Sequence, residues 1–237
     1  MFETVRNAFK IKDLRKKILY TLFILVVVRI GCQLPIPGVD ADYISQWFAD
    51  QNSLDFFNQL TGGSFEKMSI FALNITPYIT SSIILQLLTI AIPRLEELHK
   101  DGEEGRKKIS EYTRYVTIVL SLMESAAMAI GFASQGLLTD GATFTSITVC
   151  IVSMTAGSAL LMWLGEQITE HGVGNGISII LLYNIVSRMP EDISSLFNKF
   201  VKNASTTVNS LLAAVIIIGV LVAMVVFIIY LSDGERR

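Results

Sequence analysis

Cysteine and histidine are scarce in this chain. There are only two cysteines, Cys32 and Cys150, and two histidines, His99 and His171, among 237 residues. Both cysteines fall in apolar runs, where a small hydrophobe is the expected role and a disulfide is not. The histidines are isolated in different loops, so no ligand spacing points to a metal. The sequence has no His-Glu-x-x-His, no Gly-x-Ser-x-Gly and no Ser/His/Asp arrangement, which leaves an enzyme, an intramembrane hydrolase included, without a nucleophile and base. The glycines of Gly172-Val-Gly-Asn-Gly176 resemble a phosphate-cradling loop only superficially. The third glycine of a dinucleotide fingerprint would fall at Ile177, and no strand precedes it. Glycines that let a loop turn sharply into a helix are the better account. No cofactor is expected. Charge is sparse too: 17% of residues are charged and the net charge is −2, which gives no basis for nucleic-acid binding.

What the chain has in excess is apolar sequence. With 51% hydrophobic residues and a mean hydropathy of +0.53, it is an integral membrane protein of the all-α class. Residues 1–17 carry Arg6, Lys10, Lys12, Arg15, Lys16 and Lys17, and Val5, Phe9, Ile11 and Leu14 allow an amphipathic helix on the membrane surface. No small-residue cleavage site follows Lys17, so this is not read as a removable signal peptide. Six spans are predicted: 18–34, stopped by Pro35-Ile-Pro37-Gly38, then 68–92, 115–133, 145–165, 172–189 and 211–231. The last is about 32 Å long at 1.5 Å per residue, which matches a bilayer core of about 30 Å. Ser153, Ala156, Gly157, Ser158 and Ala159 let the fourth span approach its neighbours closely.

Basic residues orient the spans. Of nineteen lysines and arginines, fourteen lie in 1–17, in the loop 93–114 and at the terminal segment 232–237, and four (Lys67, Arg188, Lys199, Lys202) lie in 39–67 or 190–210 or beside them. The positive-inside rule therefore puts both ends of the chain in the cytoplasm, with 39–67 and 190–210 external. The loop 166–176 carries no lysine or arginine, and its cytoplasmic side rests on counting helices.

One stretch organises the rest. Residues 68–92 are long enough to cross a bilayer but carry Asn74, Thr76, Thr80, Ser81, Ser82 and Gln86, which lipid tails cannot satisfy, so this segment is expected to face protein or water. Before it, a half-helix at about Asp55 to Leu60 is followed by a break at Gly62 and Gly63, as in an element that re-enters the membrane. Arg29 and Glu124 are the ionisable groups placed within spans, each costing about 2.5 to 3.5 kcal/mol at a helix centre. For Arg29, near the far end of its span, snorkelling to the interface is the better account, whereas Glu124 could equally line a pathway or snorkel. Ile75 and Ile79, four apart, would ordinarily be packing residues; in so polar a segment they could form a constriction that closes a pore by excluding water.

Phe71-Ala-Leu-Asn-Ile-Thr-Pro-Tyr-Ile-Thr-Ser-Ser-Ile-Ile-Leu-Gln-Leu-Leu88, Gly102-Glu-Glu-Gly-Arg-Lys-Lys108 with Tyr112-Thr-Arg-Tyr115, and the run from Met162 to Ile180 resemble the bacterial SecY family. Arg29-Ile-Gly31 and Pro35-Ile-Pro-Gly38 add to the resemblance, which extends along essentially the whole chain. It implies the first half of an inverted-repeat translocon channel in the bacterial cytoplasmic membrane. Such a channel passes unfolded secretory polypeptides and releases membrane segments sideways. Its partners would be small SecE- and SecG-type subunits, a SecA motor or the ribosome, signal sequences and lipid. Residues Leu54, Phe56, Phe57, Leu60, Thr61, Gly62, Gly63, Ser64 and Phe65 match the family's plug, and Ile75, Ile79, Ile177 and Leu181 its apolar pore ring. Thr80, Ile83 and Gln86 would face the lateral gate.

Two features depart from the family. Glu124 stands where relatives typically carry an amide or an apolar residue, so gating is expected to respond to pH. The chain also ends just past the sixth of ten expected spans, as a fragment, a split subunit or one part of a larger assembly would. The missing half would supply the rest of the ring, the opposite gate wall and the main docking loops. The rival reading is a secondary solute transporter, whose broken helices leave similar marks.

Overall fold

Proline decides where the first helix stops and where the third and fourth begin. The computed structural model describes residues 11–39, 44, 55–138, 141, 143–197, 207–232 and 234, with the backbone alone for 55–57, 196, 197 and 207–217. Eight helices have described bounds: α1 (Lys12–Gly31), α2 (Asp55–Leu60), α3 (Thr76–Ala91), α4 (Pro93–Lys100), α5 (Glu103–Ser134), α6 (Phe144–His171), α7 (Gly176–Phe197) and α8 (Thr207–Ser232). Two isolated bridges, Pro35 with Ser69 and Val39 with Leu138, are the extended pairings among the described residues. The chain forms two compact units, Met1–Ser187 and Arg188–Arg237. The second holds the end of α7 and α8, of which Ile218–Ser232 is apolar.

Each of the six apolar segments coincides with a helix, but the helix ends differ from expectation. The largest difference is in 68–92. No helix begins at Met68; residues 61–75 are a succession of turns, and α3 starts only at Thr76. Met68 and Asn74 have φ of 42° and 53°, which an α-helix cannot accommodate. At 16 residues α3 is about 24 Å long, short of a bilayer core. It ends because Ile92 precedes Pro93 and is forced into extended backbone, φ −110° and ψ 114°. Pro93 then opens α4, and the two helix axes are bent by 103°.

The segments 93–114 and 166–176, expected as loops, are largely helical. α4 and the first turns of α5 occupy the one, and α6 runs on to His171 in the other. α5, with 32 residues, is about 48 Å long and outruns any hydrocarbon core, which frees its charged start to stand in water. Among the described residues, α5 and α6 are each long and apolar enough to cross a membrane, and the bent pair α3–α4 meets the same test when taken together.

α5 packs against α3, α4 and α6, and α1 packs against α6. The inward stripe of α5 is made of small hydroxyls four residues apart: Thr113, Thr117, Ser121 and Ser125 are all buried. Each bonds back to its own helix, Thr117 Oγ1 to Thr113 O at 2.7 Å for example, and Ser125 Oγ also meets Thr155 Oγ1 of α6 at 2.9 Å. Apolar side chains such as Phe23 and Val26 of α1 or Val119 and Met123 of α5 point outward instead. In water so much outward apolar surface would drive aggregation; in a bilayer it is the lipid face.

The turn between α6 and α7 depends on close backbone approach. A Cβ on Gly176 would lie 1.9 Å from Gly165 O, and one on Gly165 would lie 2.4 Å from Ile177 Cδ1. Asn175 then caps α7, its Oδ1 accepting from Ile177 N at 3.1 Å and Ser178 N at 3.3 Å. Gly176→Ala should therefore lower the stability of the helical bundle by about 1–3 kcal/mol through overpacking, read as a lower thermal unfolding midpoint in detergent.

Candidate functional site

Irregular backbone inside a membrane bundle has to find all its hydrogen bonds within the protein. The segment 61–75 finds them by being wrapped. Its start is folded on itself: Asn58 Oδ1 accepts from Glu66 N at 3.1 Å, Asn58 O from Gly63 N at 2.9 Å, and Ser64 Oγ donates to Thr61 O at 2.8 Å. Its middle is laced to the turn after α1. Pro35 and Pro37 have no N–H to give, so Ile36 N donates to Met68 O at 2.9 Å while Leu34 O accepts from Ile70 N at 3.0 Å.

Apolar side chains from the same segment enter two clusters. Met68, Ala72 and Leu73 pack with Ala129, Phe132, Cys150 and Met154, and Phe71 and Ile75 pack with Ile24, Val28, Leu161 and Ile180. Two glycines make room. A Cβ on Gly31 would fall 2.0 Å from the Phe71 ring, and one on Gly157 would fall 1.9 Å from Ile70 O.

Polar side chains hold the junction between α2 and this segment against α7. Arg29 Nη1 lies 3.0 Å from Gly62 O and 3.0 Å from Ser187 Oγ, and donates to both. Ser187 Oγ in turn donates to Asn184 O at 2.8 Å. Asn74 Nδ2 donates to Leu60 O at 3.0 Å, and Asn184 Nδ2 donates to Asn74 Oδ1 at 3.1 Å. Gly62 lies against the backbone of Asn184, where a Cβ would come within 3.0 Å of the carbonyl oxygen. Arg29 is thus bonded within the bundle rather than snorkelled out of it.

An open cleft of about 380 Å³ lies between the start of α3, α5, the end of α6 and the start of α7. Ile79, Ile83 and Ile177 form its apolar wall, and Ser110, Arg114, Glu166 and Asn175 its polar one. Arg114 Nε donates to Glu166 Oε1 at 2.7 Å, with the carboxylate the more covered partner. Outside the spans, Lys100 donates to Glu96 at 2.6 Å one helical turn away, and that bond holds the Glu96 carboxyl below its ordinary range. A second cavity of about 360 Å³ is bounded by Thr61, Phe65, Leu73, Thr76, Met128 and Glu124. Glu124 therefore stands beside the segment that follows α2.

The expected site residues divide accordingly. Ile79 and Ile177 share the cleft; Ile75 sits at the head of α3, enclosed in the core; Leu181 is half-buried one turn beyond Ile177. Leu60, Thr61, Gly62, Gly63, Ser64 and Phe65 form the folded junction, while Leu54 and the side chains of Phe56 and Phe57 lie outside the described residues. Thr80 returns its hydroxyl to Thr76 O at 3.0 Å, and Ile83 and Gln86 are exposed along α3. Asn184, Ser187 and the Arg114–Glu166 pair escaped the sequence reading. A polar residue at Asn184 inside the apolar run of α7 carries the same signal as Asn74, since lipid satisfies neither. Among the described residues no group of three His, Cys, Asp or Glu side chains could hold a metal.

The family model described as SecY matches residues 69–237. The protein translocase subunit SecY of Bacillus subtilis is 40% identical over 242 residues, covering 100% of this chain and 56% of that protein. The corresponding subunit of Escherichia coli is 40% identical over 231 residues, covering 95% of this chain and 51% of its own length. The chain thus spans about half the length of the curated relatives it matches. Two solved structures, described as "Sec61 in the Canine ribosome-channel complex from the endoplasmic reticulum" and "The structure of a protein conducting channel", share the fold, each with a TM-score of 0.59 at 19% identity over 90% of this chain and 47% of theirs. An all-helical membrane bundle built around a wrapped irregular segment, matched by sequence along the whole chain, belongs to the SecY family.

Proposed function

We propose that this chain forms the first half of a protein-conducting channel, passing unfolded secretory polypeptides across the bacterial cytoplasmic membrane, with both ends of the chain in the cytoplasm. The observation that carries the reading is the segment 61–75, turn upon turn of irregular backbone buried at the centre of a membrane bundle. Backbone of that kind persists in a membrane only against protein or a water-filled passage. At the start of α3, which follows it, Ile79 and Ile177 wall a cleft.

In this reading residues 54–65 are the stopper, and Ile75, Ile79, Ile177 and Leu181 are one side of an apolar ring. Such a ring excludes water around a moving chain and grips no particular sequence. Thr80, Ile83 and Gln86 belong to the wall that parts to let a signal sequence reach lipid. The chain does no chemistry of its own. A motor of the SecA type or a ribosome supplies the energy, and small SecE- and SecG-type subunits complete the assembly with the second half of the channel. A solute transporter would need Asn74 or Thr76 free to meet a substrate. Asn74 is instead consumed by Leu60 and Asn184.

Cysteine introduced at Ile79 or Leu181 of the full-length channel should crosslink to a stalled secretory polypeptide, whereas cysteine at the outward Val119 should not. Absence of crosslinking at both ring positions would sink the channel reading. For Glu124, the cavity beside Thr61 and Phe65 supports the expected pH response. An ionised carboxylate there disfavours the closed stopper, so conductance should rise with pH as the group loses its proton. Glu124→Gln should give a conductance that no longer varies with pH, measured in planar bilayers.

A further inference from the structure

We propose that Asn184 is a positioning residue for opening: its side-chain carbonyl is the acceptor that takes over the Asn74 amide when the stopper withdraws. The inference rests on the reading of residues 54–65 as a stopper and assigns the groups that let it leave.

The two amides are deep in the bundle, Asn74 2% and Asn184 1% exposed. A primary amide has two N–H donors and one carbonyl oxygen. In the closed arrangement Asn74 spends one donor on Leu60 O and its oxygen on Asn184 Nδ2. Leu60 closes α2, and a terminal helix carbonyl without a donor would be an orphan at this depth. Of the four nitrogen and oxygen atoms of the two amides, one has no partner. Asn184 Oδ1 is buried and has no hydrogen-bond partner among the described residues. Such an atom in a well-packed interior calls for a reason.

Withdrawal of the stopper supplies one. Leu60 O leaves with the loop, Asn74 Nδ2 is released, and a rotation about the Asn74 side chain brings that donor onto Asn184 Oδ1. The amides then face each other in a reciprocal pair with two hydrogen bonds. Asn74 makes two bonds before and two after, so neither state strands its donor. Asn74 already stands at φ 53°, at the hinge between the irregular segment and α3, where it is fixed relative to α7 while the loop beyond Gly62 and Gly63 moves. The pair is a two-state element of the kind on which switching is built, with each state selected by where one N–H points.

The two asparagines therefore have opposite effects on gating, which a merely structural role would not produce. Asn74→Gly keeps the positive φ but strands Leu60 O in the closed state, so the channel should open more often. Asn184→Ala leaves the Asn74–Leu60 bond in place and removes the acceptor of the open state, so the channel should open less often. Asn184→Asp keeps an acceptor, loses the donor to Asn74 Oδ1, and should raise opening above the parent. Each change amounts to about one buried hydrogen bond, or roughly tenfold in the ratio of open to closed. In the Asn74→Gly background, Asn184→Ala should have no further effect.

The experiment uses the full-length channel with its partner subunits in planar bilayers and reads opening frequency with a synthetic signal peptide. Opposite signs for Ala and Asp at position 184 cannot come from a folding defect, which would move both the same way. An Asn184→Ala channel that opens as often as the parent or more often, an Asn184→Asp channel that does not open more, or an effect of Asn184→Ala that persists beside Asn74→Gly overturns the inference. A channel lacking residues 58–65 separates the two readings. If that deletion conducts at rest while the position-184 variants fail these signs, only the amide exchange falls; if the deletion stays sealed, the stopper reading falls with it.

Discussion

Everything in this bundle answers to one constraint: a stretch of non-helical backbone, largely buried, has to find partners within the protein for the N–H and C=O groups it buries. Each has to be met by the protein, and the surrounding elements are arranged to do so. The turn after α1 carries two prolines, Pro35 and Pro37, on either side of Ile36, whose N–H reaches Met68 O. α7 offers Asn184 and Ser187 on one face, and through them Asn74 and Arg29 reach the carbonyls of Leu60 and Gly62.

The same constraint explains why small residues matter more here than large ones. Within lipid, burying an apolar side chain gains little from leaving water, and association rests on close packing and hydrogen bonds. Gly31 and Gly157 admit the wedge between α1 and α6, Gly165 and Gly176 close the α6–α7 turn, and the hydroxyl stripe of α5 seats that helix on its neighbours. The junction at Leu60 and Gly62 is tied to these packed helices by hydrogen bonds from Asn74 and Arg29.

Electrostatics follow the same division. Arg29 is costly in a span, and its two hydrogen bonds, which join Gly62 to Ser187 of α7, offset that cost. Arg114 and Glu166 stand at the polar mouth of the cleft, where partial water access lowers the cost of both charges and a half-covered pair contributes about 1 kcal/mol at most. Glu124 borders the cavity beside Thr61 and Phe65.

Much of this was legible from the chain alone. The membrane class, the order of apolar segments, the half-helix Asp55–Leu60 and the unusual polarity of Thr76 to Gln86 follow from composition and spacing, because lipid penalises polar groups residue by residue. The ends of the helices were not legible in the same way. Residues 68–75 read as the start of a span because Met68, Ile70, Phe71, Leu73 and Ile75 are apolar. Only the fold reveals that their partners lie on α1, α5, α6 and α7, far off in sequence, and that Asn74 turns left-handed to meet them. The pairing of Asn74 with Asn184, 110 positions apart, and of Arg29 with Ser187 was decided by tertiary structure alone. A polar residue in an apolar run announces that it needs a partner, and only the packing of the chain says which one.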